Sequence, residues 1–224
     1  MNKPLRVVVR LEISTLFDSN GKFDNHRLDR LAMILSNMNN SGMEILLVSS
    51  GAIALGAEKL QTPIPEISIE MQASAAVGQV ELMKLYQLYF DQYNQMSAQV
   101  LLTTDSLENN EKRIKNIQNT FNRLLELNVL PIINENDPVS TSDIELDDNY
   151  PMALNVAQIS SAHLIMIKTD NANQYILVPR GGKACVIDQD KELFLTLYQF
   201  QKETEKLNEG FFPSSIGELE FVNG

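Results

Sequence analysis

The sequence predicts an α/β fold, a three-layer α/β/α sandwich around a mainly parallel open sheet. Two observations carry that expectation. Short runs rich in Val, Ile and Leu are continuous rather than alternating, as in strands covered on both faces. Longer stretches of helical periodicity lie between them, and strand alternating with helix builds a parallel sheet flanked on each side.

The strand-like runs are residues 5–9, 45–48, 100–102, 129–133 and 164–167. Leu28, Leu31, Leu35 and Met38 share one helical face, and Gly42 stands where that helix should stop. Residues 69–93 form a long amphipathic stretch with Gly78 inside it. Residues 105–127 form another, with Asp105 and Glu108 resembling a capping arrangement. Shorter helices are expected over residues 152–159 and, more polar, 191–207. No internal repeat or low-complexity linker interrupts the pattern, so one domain over residues 1–224 is expected.

A formal charge of −11 argues against nucleic acid and anionic membrane surfaces, which need clustered Lys and Arg. No apolar run approaches the roughly 20 residues that span a bilayer, and the N-terminus lacks the apolar stretch of a signal peptide. A soluble, cytoplasmic protein is the economical expectation. Cys185 is the single cysteine, and with His26 and His163 it makes a zinc site of the usual kind improbable. His163 borders an apolar run and reads as structural. No G-x-G-x-x-G follows the first strand, so a dinucleotide fold is rejected.

Ligands of open α/β sheets bind at the carboxyl ends of the strands. The chemistry is therefore expected in residues 10–14, 49–56, 103–105, 134–141 and 168–173. Residues 49–56, SSGAIALG, combine small side chains with entry into a helix. They suit an anion held by backbone N–H groups, or simply a tight turn. Residues 134–141, NENDPVST, place polar side chains in succession after a buried strand. They suit an ammonium group or an oriented Mg²⁺, or an ordinary polar turn shaped by Pro138. Asp143, Glu145, Asp147, Asp148 and Asn149 form an acidic run leading into a helix. Asp148 or Asn149 taken alone reads as an N-cap.

SSGAIALG and NENDPVST, in this order at the ends of two strands, resemble the signatures of the glutamate 5-kinases, a branch of the amino-acid kinase family. The similarity runs in register from about Arg6 through Asp170 and includes QMSAQVLLT at residues 95–103. The resemblance implies the family's three-layer fold and ATP-dependent phosphorylation of the side-chain carboxylate of L-glutamate, the first step of proline synthesis. It implies that Ser50, with Gly51 and Ala52, Asp137 and Asn149 bind glutamate, Asp137 at the amino end. Arg10 and Asp148 would serve the chemistry. Arg10, Ser14, Thr169 and Asp170 would meet ATP with its Mg²⁺. Family members are commonly homo-oligomers; the helical face of Leu82, Leu85, Leu88 and Tyr89 could serve a purely structural, oligomerising subunit, although such a face is more often simple core.

The chain departs from the family on the phosphate side. Arg10 stands in place of a lysine, and its planar fork is wider than an ammonium group. Glu12 stands in place of a glycine and adds a carboxylate where phosphates are expected. Residues 171–174 replace an acidic-glycine segment, and Tyr150 replaces an acidic residue. Near the C-terminus, residues 212–217 carry neither the glycines nor the lysine expected to close over ATP, and Gly181-Gly182-Lys183 comes too early. The family's last strand-helix units and its accessory RNA-binding-like domain are not expected here. The alternative to an active kinase is a catalytically inactive paralogue that binds glutamate or proline, or a purely structural subunit. The polar residues 199–209 suggest no function.

Overall fold

The computed structural model describes residues 3–17, 23–103, 110–140, 149–169, 171 and 173–222. Its centre is a seven-stranded sheet in the order β3-β4-β2-β1-β5-β6-β7. The strands are β1 (Arg6–Leu11), β2 (Glu44–Val48), β3 (Ser97–Leu102), β4 (Leu130–Glu135), β5 (Leu164–Lys168), β6 (Tyr175–Pro179) and β7 (Cys185–Ile187). β1 to β5 are mutually parallel where they pair. β6 and β7 extend the sheet as an antiparallel hairpin beyond β5. The sequence reading missed this hairpin. Its strands are short, and its turn uses Gly181 and Gly182, which were weighed only as a phosphate loop.

Six helices flank the sheet: α1 (Asn25–Asn40), α2 (Ala52–Leu60), α3 (Ser68–Asp91), α4 (Glu111–Glu126), α5 (Tyr150–Ile159) and α6 (Asp190–Lys202). The pleat sends alternate residues to opposite faces. Val7, Val9, Leu47 and Met166 pack against Leu35 of α1, Leu82 and Tyr86 of α3 and Leu197 of α6. Val8, Val48, Ile133 and Ile165 pack against Phe121 of α4 and Met152 and Val156 of α5. That division makes the three layers and explains why the strand runs are apolar without alternation.

Some boundaries differ from the sequence expectation. α4 begins at Glu111, with the Asn110 side chain accepting from Arg113 N at 3.0 Å. Asp105 and Glu108 lie outside the described residues. The last helix stops at Lys202, and residues 206–208 form a separate 3₁₀ turn. Of the suggested oligomer face, Leu82 is buried and Leu85 and Tyr89 pack against the same core, leaving only Leu88 well exposed. His163 is structural, its Nδ1 accepting from Arg6 N at 2.9 Å. Burial, and then the nearby Arg6 and Arg180, lower its pKa and favour that neutral acceptor. Among the described residues no helix is long and apolar enough to cross a membrane.

Candidate active site

Strand register gathers the expected segments at one edge. Arg10 pairs across with Val48 of β2 and Ile167 of β5, and Val48 pairs with Ile133 of β4. The residues that follow these positions therefore share the carboxyl edge of the sheet, where the strand order reverses around β1.

The backbone carbonyl of Leu11 is the centre of this edge. It accepts from Ser50 Oγ at 3.2 Å and from Asn149 Nδ2 at 3.0 Å. Two residues 99 positions apart in the chain are thereby brought to one atom. Asn149 occupies the N-cap position of α5 but makes no side-chain cap bond, so its amide is tied to β1 rather than to the helix. Its Oδ1 is buried and has no hydrogen-bond partner among the described residues.

Ser50 leads into Gly51, whose φ of 110° only glycine adopts without strain. That turn starts α2, and Ala52 is buried at its first position. The preceding Ser49 is held on two sides. Its N–H donates to Ile133 O at 2.8 Å, and its hydroxyl lies 2.6 Å from the Tyr86 hydroxyl of α3. Gly56 has a different task from the ligand approach expected of the motif. A Cβ there would lie 1.8 Å from Ser74 O, and one on Gly78 would lie 1.7 Å from Ala52 O. These two glycines let α2 and α3 cross backbone to backbone, which presses the Ser50 turn against α3.

Asp137 begins a 3₁₀ turn after β4 and is 8% exposed. Burial, reinforced by the Glu135 carboxylate, raises its carboxyl to about 6. It is therefore mostly ionised at neutral pH, but at a cost that a cationic ligand would relieve. Glu135, Asn136 and Asp137 line a cavity of about 530 Å³ together with Gln79 and Lys84 of α3. Asn134 Nδ2 donates to Gln79 Oε1 at 2.7 Å, tying the end of β4 to α3.

The phosphate side is built differently. Arg10 is 2% exposed, and its guanidinium donates to the Glu12 carboxylate two residues on. The two substituted positions thus pair with one another. Ser14 lies in the 3₁₀ turn Ile13–Leu16, of which only the backbone is described at that residue. Thr169 Oγ1 donates to Gln174 O at 3.2 Å, closing the turn between β5 and β6. Lys168 Nζ donates to the carbonyls of Thr169 and Asn171 at 2.6 and 2.7 Å. Asp148 and Asp170 lie outside the described residues.

The C-terminal segment runs along the α5 face, from Gly181 at the amino edge of the sheet to Tyr150 at the start of α5. The Tyr150 hydroxyl donates to Pro213 O at 3.1 Å. Phe212 is buried, with the Arg180 guanidinium 5.2 Å above its ring. Ala184 N donates to Glu220 O at 2.7 Å and Val222 N to Ala184 O at 2.9 Å. Gly181 and Gly210 meet so closely that a Cβ on Gly210 would lie 2.5 Å from Gly181 Cα. Burial raises the pKa of Tyr150, with the charge of Arg10 opposing this and that of Glu218 adding to it. Sequence reasoning missed Gln79, Tyr86 and this docking. The one available signal was Gly78 in the middle of a helix, a mark of close backbone approach beside Gln79.

Comparison with known proteins shows the family. Residues 14–186 match the model of the amino acid kinase family, a span that leaves Arg10, Glu12 and the C-terminal segment outside. The chain is 39% identical over 210 residues to a glutamate 5-kinase of Listeria innocua, covering 92% of this chain and 74% of that protein. It is 43% identical over 170 residues to a glutamate 5-kinase of Enterococcus faecalis, covering 74% of this chain and 62% of that protein. Among solved structures a Giardia carbamate kinase superposes with a TM-score of 0.53 over 74% of this chain and 73% of that one. At 17% identity, that similarity concerns the fold alone.

Proposed function

The chain belongs to the amino acid kinase family, on its glutamate 5-kinase branch, and we propose that it transfers the γ-phosphoryl group of ATP to the side-chain carboxylate of L-glutamate. The observation that carries this reading is the convergence of Ser50 and Asn149 on the Leu11 carbonyl, on the same sheet edge as buried, ionisable Asp137. A carboxylate acceptor suits the ammonium group of an amino acid. The N–H groups after Gly51 suit its carboxylates, and the Ser50 hydroxyl would join them by turning from the Leu11 carbonyl. In the reaction a glutamate carboxylate oxygen bonds to the γ-phosphorus, the bond from that phosphorus to the β–γ bridging oxygen breaks, and ADP leaves. Such transfer depends on alignment and charge neutralisation more than on a covalent catalyst.

Among the described residues no cluster of three or more His, Cys, Asp or Glu is placed to hold a metal. Mg²⁺ would arrive on the ATP phosphates, since such ions take only one or two protein carboxylates. Arg10 supplies positive charge at the end of β1, with Thr169, Ser14 and Asp170 as the further residues assigned to ATP. Assembly as a homo-oligomer is part of the same proposal.

The Arg10–Glu12 ion pair favours a second reading, a non-catalytic relative that binds glutamate or proline. A carboxylate already holding the guanidinium competes with phosphate for it. It also repels a triphosphate by about 1 kcal/mol at 4 Å in water and by several in a partly buried site. Trapping glutamyl phosphate as its hydroxamate, with saturating Mg-ATP and glutamate, decides between them. Product supports the kinase. If no product forms but calorimetry detects glutamate binding, the second reading stands. Arg10→Lys combined with Glu12→Gly is then expected to raise ATP affinity at least tenfold. An unchanged affinity would shift the defect to the C-terminal segment.

A further inference from the structure

Two buried polar atoms at the carboxyl edge have no hydrogen-bond partner among the described residues: Gln79 Nε2, a donor, and Asn149 Oδ1, an acceptor. Buried donors are rarely left so, because desolvation then goes uncompensated. Gln79 is also held by design of the backbone. It follows Gly78, where α3 crosses so near the first turn of α2 that no Cβ fits. Its Oε1 is engaged by Asn134 Nδ2 at 2.7 Å, which fixes the two ends of the amide. It lines the same cavity as Glu135, Asn136 and Asp137.

That cavity is poor in available cations. Lys84 also lines it, but its ammonium group is 3.0 Å from the Glu81 carboxylate. A ligand held by its ammonium group at Asp137 carries an α-carboxylate on the adjoining carbon. With Glu135 and Asp137 both acidic, that carboxylate needs a donor close by. We infer that Gln79 is a further substrate-binding residue, its Nε2 donating to the α-carboxylate of the amino acid whose ammonium group Asp137 holds. This places the α-carbon between α3 and the turn after β4, and leaves the side-chain carboxylate to point along the edge towards Arg10. The inference rests on the amino-acid site proposed above and adds the element that reads its α-carboxylate.

The test is calorimetric titration of L-glutamate into the unaltered chain, Gln79→Leu and Gln79→Glu, with circular dichroism confirming folding. Gln79→Glu keeps an acceptor for Asn134 while it replaces the donor with a carboxylate charge. Both variants are expected to bind at least tenfold more weakly. In the unaltered chain, 4-aminobutyrate, which lacks the α-carboxylate, should bind far more weakly than glutamate, and the Leu variant should lose most of that discrimination. If Gln79→Leu does not fold, Gln79→Glu decides alone. Gln79→Glu binding within twofold of the unaltered chain overturns the inference, because the residue then acts only by holding Asn134. No glutamate binding by the unaltered chain overturns the amino-acid site itself, and this inference with it. Binding by the unaltered chain that the variants share overturns the inference alone.

Discussion

Burial and the neighbouring Glu135 raise the Asp137 carboxyl from 3.8 to about 6. A carboxyl that holds its proton more tightly when folded contributes most below its unfolded value, near 4, and erodes stability as pH rises through about 6. Asp137→Asn removes that penalty. It is expected to stabilise the ligand-free protein by about 1–2 kcal/mol at pH 7.5, with the difference vanishing near pH 4. Urea denaturation at the two pH values checks this, and a variant no more stable at pH 7.5 would refute it. The same change should abolish glutamate binding, and in the unaltered chain affinity should fall as pH drops below about 6. The motif at residues 134–141 made Asp137 a candidate from the sequence. Its proton affinity was not legible there, because desolvation depends on what α3 covers. Asn149 is the opposite case. Its position before a helix suggested a cap and the family resemblance a glutamate contact, whereas the partner its amide takes is the Leu11 carbonyl, supplied by a strand far away in sequence.

Five helices end in the same way, each with one residue in the left-handed region and paired backbone bonds reaching back into the last turn. After α1 this residue is Gly42, with Met43 N donating to Met38 O and Gly42 N to Asn39 O. After α2, α3, α4 and α5 it is Gln61, Asn94, Asn128 and Ser161. The motif is the Schellman arrangement, and only its glycine version announces itself in a sequence. A side chain in this conformation costs about 1–2 kcal/mol, part of which glycine returns through its looser unfolded chain. Exposed Gln61→Gly is expected to stabilise the fold by about 0.5 kcal/mol. The urea midpoint should rise with an unchanged slope, and a lower midpoint would show that the Gln61 side chain makes a contact worth more than the strain. The crossing of α2 and α3 is the converse. Gly56 and Gly78 were visible as small residues in helical stretches, but that they serve each other's helix could be seen only once the two were packed.

At the scale of the whole molecule, the C-terminal segment is part of the folded body. Phe212 fills the second core, Tyr150 clamps the Pro213 carbonyl, and the strand-like pairing at Ala184 and Phe221 closes the end. Truncating a buried Phe removes packing on every side of it. Phe212→Ala is expected to cost about 2–4 kcal/mol. A loss below about 1 kcal/mol in denaturant unfolding would show that the segment adds little to the fold. In limited proteolysis the variant should be cut first within residues 209–222.

The sequence by itself determined the fold class, the positions of the five parallel strands and which segments follow them at the carboxyl edge of the sheet. These rest on short-range hydrophobic patterning, and the period of apolar residues is a property of local chain geometry. It also determined the family, through motifs of consecutive residues. The tertiary structure decided the rest: the β6–β7 hairpin, the pairing of Arg10 with Glu12, the convergence on Leu11, the placement of Gln79 and Tyr86, and the docking of the C-terminal segment. Apart from the local Arg10–Glu12 pair, these contacts join residues remote in sequence. Their partners depend on which helix covers which strand, information that no local window of residues contains.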